Sequence, residues 1–134
     1  TWIAKAQEFA PIKWTISQRS GGTKHTIFAK ATIEKGWHVF APEPGGDGLL
    51  IATDITLQNA EKYKNISPVK VNKGEMISRE MEGVGLVHFY EHEVELSISF
   101  EGSNVGKVSG IVHYQLCNEV MCLPPEELEF SVKF

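Results

Sequence analysis

Cys117 and Cys122 are the only cysteines in a chain of 134 residues, and four residues separate them. Sulfur in such a pair serves as a cross-link, as a metal ligand or in thiol–disulfide exchange. The spacing favours exchange. In the chain-entropy account, a bridge closing so short a loop stabilises a fold by roughly 2 kcal/mol, against about 4.7 for a loop of about 100 residues. A pair carried on a turn offers access instead, and exchange needs access because an attacking thiolate must reach a sulfur.

A single domain over residues 1–134 is long enough to build a core without cross-links, so the pair is not needed for stability. The 13 basic and 17 acidic residues give a formal net charge of −4 with no basic run, which argues against nucleic acid as a partner. No stretch approaches the ~18 apolar residues of a membrane span, so no direct membrane insertion of this segment is expected. The opening Thr1-Trp2-Ile3-Ala4-Lys5 lacks the charged-then-apolar order of a signal peptide, and a start at threonine points to trimming from a longer chain.

The elements that must position the cysteines are strands, because apolar residues recur with period two. Ile27, Ala29, Ala31 and Ile33 share one face; Val94, Leu96, Ile98 and Phe100 alternate with Glu93, Glu95, Ser97 and Ser99; Leu128, Phe130, Val132 and Phe134 close the chain in the same way. Weaker strands are expected at Ile12 to Ser17, Trp37 to Phe40, Leu50 to Leu57, Val69 to Val71, Leu86 to Tyr90 and Lys107 to Cys117. Breakers fall between them at Ser20 to Gly22, Pro42 to Gly48, Lys73-Gly74, Gly83 to Gly85 and Glu101 to Gly106. Asp54 to Lys64 reads as one short helix. Many short strands at this spacing predict an all-β fold, a β-sandwich rather than a barrel.

Alternation also orients the pair. Val112, Tyr114 and Leu116 form the apolar side of their strand, which leaves His113, Gln115 and Cys117 on the other side, away from the main core. Antiparallel strands joined by Asn118 to Met121 bring the two α-carbons within disulfide range.

The run Tyr114-Gln115-Leu116-Cys117-Asn118-Glu119-Val120-Met121-Cys122-Leu123-Pro124-Pro125-Glu126, followed by an alternating strand, resembles the end of the periplasmic N-terminal domain of DsbD-type thiol:disulfide interchange proteins. Pro11 to Trp14, Glu34 to Phe40 and Val87 to Glu91 resemble earlier parts of that domain, so the likeness covers most of the chain. It implies an immunoglobulin-like β-sandwich acting as a protein-disulfide reductase component. Such a domain sits in the periplasm, tethered to the inner membrane as part of a larger membrane protein. It takes two electrons from a membrane-embedded domain of the same protein, which also carries a thioredoxin-like domain, and passes them to oxidised periplasmic thioredoxin-fold proteins.

Carried onto this sequence, the resemblance makes Cys122 the sulfur that forms the mixed disulfide and Cys117 its resolving partner. It also implies a cap loop within Arg79 to Gly85, with Met81, Glu82, Gly83 and Val84 as candidates. Met81 or Val84 would be the apolar lid, and Gly83 and Gly85 the hinge. Tyr114 and Gln115 are candidates for orienting the cysteine loop, with a plain core position as the other reading of Tyr114. Glu80, Glu82, Glu119 and Glu126 are candidates for neighbouring charges that tune the thiols.

No metal and no cofactor beyond the disulfide itself are expected. His88-Phe89-Tyr90-Glu91-His92 matches a zinc-peptidase pattern that needs a helix, whereas residues four apart on a strand are roughly 13 Å apart. His113, Cys117 and Cys122 lack the fourth ligand of a structural zinc. Trp37 reads as a core or rim aromatic, and Gly45 to Gly48 as a flexible turn. Two other readings stay open: a noncatalytic immunoglobulin-like interaction module whose disulfide pins a hairpin, and metal handling by the thiols. A reduction potential below about −300 mV would mark the structural bridge.

Overall fold

The computed structural model describes residues 11–134; the reading of Thr1 to Lys5 falls outside them. Eleven strands run in chain order: β1 (Ile12–Gly21), β2 (Lys24–Ile33), β3 (His38–Gly45), β4 (Asp54–Leu57), β5 (Lys70–Lys73), β6 (Met76–Met81), β7 (Gly85–Tyr90), β8 (Glu93–Glu101), β9 (Lys107–Tyr114), β10 (Leu116–Cys117) and β11 (Glu126–Lys133). They form an immunoglobulin-like β-sandwich from antiparallel sheets ordered β1-β2-β8-β5, β10-β3-β7-β6 and β11-β9-β4.

The core lies where the alternation places it. Ile27, Ala29 and Ala31 on β2 and Leu96, Ile98 and Phe100 on β8 are buried together with Val39, Tyr90, Val108, Val112 and Phe130 from the other sheets. The second and third sheets are joined by the chain itself. Tyr114 still pairs with Glu126 of β11, but beyond Gln115 the backbone changes partner, and Leu116 pairs with Val39 of β3.

Four expectations need correction. Asp54 to Lys64 is no helix: Asp54–Leu57 is a strand whose Ile55 is buried opposite Val112, and only Ala60–Lys62 coils, as a single 3-10 turn. That polar turn has no buried residue, so nothing anchors a longer helix. The strand expected over Lys107 to Cys117 is broken at Gln115 by the switch of sheets.

Pro42 to Gly48 was expected to break the chain, yet β3 continues through both prolines to Gly45. It does so because its pairing with β7 skips a stretch, holding at Phe40 opposite Phe89 and resuming at Gly45 opposite Val87. Lastly, β6 carries too few apolar residues to be read from its pattern. It pairs along its whole length with β7, and the Arg79 guanidinium lies 5.3 Å from the Phe89 ring centroid, where its side chain does an apolar residue's work.

Candidate redox site

The β10-β3-β7-β6 sheet is apolar on both faces. Val39, Tyr90 and Leu116 point into the main core, while Phe40, Val87, Phe89 and Cys117 form a smaller buried cluster on the opposite side. Leu50, Ile77 and Val84 pack over that cluster. Cys117 thus faces away from the main core, as alternation requires, but it is not exposed: only 2% of its surface meets solvent.

Cys122 is exposed and bonded to Cys117, with the α-carbons 4.0 Å apart in an isolated antiparallel bridge. The intervening loop is built by Asn118. Its backbone N–H donates to the Met121 carbonyl at 2.8 Å, and its Oδ1 accepts from the backbone N–H groups of Val120 and Met121, each at 2.8 Å. Leu123 N–H donates to the Leu116 carbonyl at 2.8 Å, and Gln115 Nε2 donates to the Leu123 carbonyl at 3.0 Å. Gln115 therefore braces the exit of the cysteine loop. Tyr114 does not touch that loop's bonding. It belongs to the main core, its ring centroid 5.3 Å from that of Trp14 and tilted to it by 54°, and its phenol is pushed up by burial and by the Glu126 carboxylate, against a weaker pull from the Trp14 indole.

The segment Arg79 to Gly85 is the end of β6, a turn and the start of β7. Val84 N–H donates to the Met81 carbonyl at 3.0 Å, and Gly83 takes a positive φ of 80° that closes this tight hairpin. Of the cap candidates, Val84 packs on the Cys117 cluster, Met81 is 40% exposed at the end of β6, and Glu82 and Gly83 are exposed at the tip. A second loop leans on the same hairpin. Gly46 N–H donates to the Leu86 carbonyl at 2.9 Å, and a side chain at Gly46 would meet Val84 Cγ1 at 2.9 Å and Leu50 Cδ1 at 3.1 Å. The glycine turn therefore packs closely against Val84 and Leu50 and is not merely a flexible link.

Among the carboxylates, Glu119 lies in the cysteine loop, 3.9 Å from Arg79 of the hairpin. Both side chains are more than half exposed, so this ion pair ties loop to hairpin weakly. Glu80 alternates to the other face of β6 from Arg79, and Glu126 pairs with Tyr114.

One residue escaped the sequence reading. His38 is the direct cross-strand neighbour of Cys117, on the same face, with its ring 4.5 Å from Phe89 and 5.6 Å from Phe40. Burial holds its imidazole below the ordinary value; Glu91 pulls it up, Arg79 down and Glu119 up, each less strongly. The available signal was a histidine alternating with Phe40 on an apolar face. Chemically, the arrangement presents one sulfur of a disulfide to a partner and shelters the other under a hairpin.

A family profile described as the N-terminal part of thiol:disulfide interchange protein DsbD matches residues 6–133. No curated protein matches the chain. Among solved structures, the N-terminal periplasmic domain of ScsB from Proteus mirabilis superposes with a TM-score of 0.70 at 15% identity, covering 94% of this chain and 47% of that one. The chain thus spans about half the length of the ScsB domain that it matches. The DsbD N-terminal domain of Neisseria meningitidis in the reduced form gives a TM-score of 0.59 at 17% identity, covering 96% of this chain and 93% of that one. A complex between the DsbD and PilB N-terminal domains from Neisseria meningitidis gives 0.57 at 18% identity, with coverage of 88% and 80%. At these identities the solved structures speak for the fold.

Proposed function

The chain belongs to the family of N-terminal domains of the thiol:disulfide interchange protein DsbD, and from that membership we propose that it relays electron pairs to oxidised thioredoxin-fold proteins of the periplasm. The observation that carries the reading is the asymmetry of its disulfide, with Cys122 exposed and Cys117 buried. A sulfur that must meet a foreign disulfide has to be at the surface, and one that must act only inside the molecule is better hidden from stray oxidants.

In the reduced protein, the Cys122 thiolate attacks one sulfur of the partner disulfide. A mixed disulfide forms and the partner's other sulfur leaves as a thiolate. Cys117 then loses its proton and attacks Cys122, restoring the Cys117–Cys122 bond and releasing the partner's second thiolate. Two electrons have moved to the partner. A dithiol in a membrane-embedded domain of the same, longer protein resets the pair by the reverse chemistry. Val84, with Met81, Glu82 and Gly83 at the hairpin tip, caps the sheltered sulfur between encounters, and Gln115 holds the loop in register.

Trapping tests the assignment of roles. With oxidised periplasmic thioredoxin-fold domains, Cys117→Ala is expected to accumulate a mixed disulfide through Cys122, visible by mass on non-reducing separation, and Cys122→Ala is not. Equal yields from the two variants, or none from Cys117→Ala across such partners, would overturn the relay.

A further inference from the structure

The resolving step poses a problem that the exposed cysteine does not have. Cys117 must give up a proton inside a cluster made of Phe40, Val87 and Phe89, where charge on sulfur is costly. In the disulfide-bonded form water has little access to this side chain, which is 2% exposed. A proton acceptor supplied by the protein removes the need for water to reach it.

One side chain is placed for it. His38 and Cys117 are directly opposed in the β3–β10 ladder, and opposed residues stand with β-carbons roughly 4.5–5.5 Å apart on the same face. The other histidines are either bonded or out in solvent. His25 is satisfied at both ring nitrogens, by Ser20 Oγ at 2.7 Å and the Gly102 carbonyl at 2.9 Å. His88 bonds Ser78 at 2.7 Å, His113 bonds Thr56 at 2.9 Å, and His92 is exposed on a turn. Among the described residues, His38 is half-buried, held between Phe40 and Phe89, and has no hydrogen-bond partner on its ring.

Resting on the exchange reading above, we propose that the His38 imidazole is the proton acceptor for the Cys117 thiol when Cys117 resolves the mixed disulfide. The thiol proton passes to the ring, the sulfur's electron pair forms the bond to Cys122, and the bond from Cys122 to the partner breaks. The partner leaves as a thiolate and takes its proton from the imidazolium or from water. When the disulfide is reset, a proton from the incoming dithiol passes through the ring to Cys117 as that sulfur leaves.

The surroundings suit a ring that is neutral at rest and charged for an instant. Burial favours the uncharged ring. Glu91 after β7 and Glu119 in the cysteine loop then stabilise the imidazolium, and Arg79 on β6, itself drawn toward Glu119, opposes it.

A small-molecule disulfide separates the two sulfurs without any protein partner. Reduced protein mixed with excess dithiodipyridine releases one coloured thiopyridone when Cys122 attacks and a second when Cys117 resolves. His38→Gln is expected to slow the second phase about tenfold or more while leaving the first within about twofold, and to remove the acid-side fall in the second-phase pH profile. His38→Phe, which keeps a ring stacked on Phe89, is expected to behave alike. A second phase unchanged in either variant, or both phases slowed together, overturns the proposal. If His38→Phe resolves normally and only His38→Gln is slow, the effect is packing and the proposal likewise falls. The expected selective slowing in both His38 variants beside failed trapping of a protein partner would count against the relay, not against proton transfer at Cys117.

Discussion

The two apolar clusters of this sandwich differ in more than size. The main core draws on all three sheets and closes Phe100 in completely, with the rings of Tyr63 at 4.9 Å and Phe134 at 5.9 Å. The cluster around Cys117 has four buried members on one face of one sheet, closed by a hairpin tip and a glycine turn. The first is closed by residues of all three sheets, whereas the second is covered only by partly buried Leu50, Ile77 and Val84. Separating the clusters lets the site be uncovered without endangering the fold, since local openings cost less than global ones.

The comparison can be broken most severely in the core. Phe100→Ala should cost about 3–5 kcal/mol of folding free energy, read from the shift of a denaturation midpoint. The folded fraction should keep its rate of reaction with a small disulfide. A changed rate would show that the clusters are coupled after all. Val84→Ala is a milder and more selective probe. It should lower global stability by about 1 kcal/mol or less, yet speed alkylation of Cys117 in the reduced protein by about fivefold, as expected when a lid loses about that much free energy. Protection of Cys117 unaffected by Val84→Ala would move the lid elsewhere.

The smallest effect is a slope with pH. Because His38 titrates lower in the folded protein than in the unfolded chain, the unfolded state binds more protons between the two values. Stability should therefore fall as pH drops from about 6.5, the unfolded value, toward the lowered folded one, and His38→Phe should flatten that part of the profile. A stability profile identical in the variant would mean that the ring is freely solvated.

Much of this was legible in the chain. The alternations through Ile27, Leu96 and Phe130 placed three strands on the correct faces, and the same rule turned Cys117 away from the core. The short spacing of the cysteines also put the two α-carbons within disulfide range, and they stand 4.0 Å apart. What the pattern hid was the second cluster. Alternation labels one face as core and leaves the other to solvent, so it cannot register a sheet buried on both sides. His38 consequently carries no signal of its own in the alternation. For the same reason β6, whose inward residues include Arg79, shows no strand pattern, and of the two readings of Tyr114 the structure supports the core one.

The sequence by itself determined the class of fold, the identity of the disulfide pair and the closeness of its two sulfurs, because all three depend on local rules: two-residue periodicity, residue type and the reach of a short loop. Only the tertiary structure decided that the two sulfurs differ in exposure. Their difference in exposure arises because the chain leaves one sheet at Gln115 and joins another at Leu116, which carries Cys117 beneath the β6–β7 hairpin and beside His38. Those neighbours are brought in from distant parts of the chain by strand pairing, and no local pattern around the cysteines specifies them.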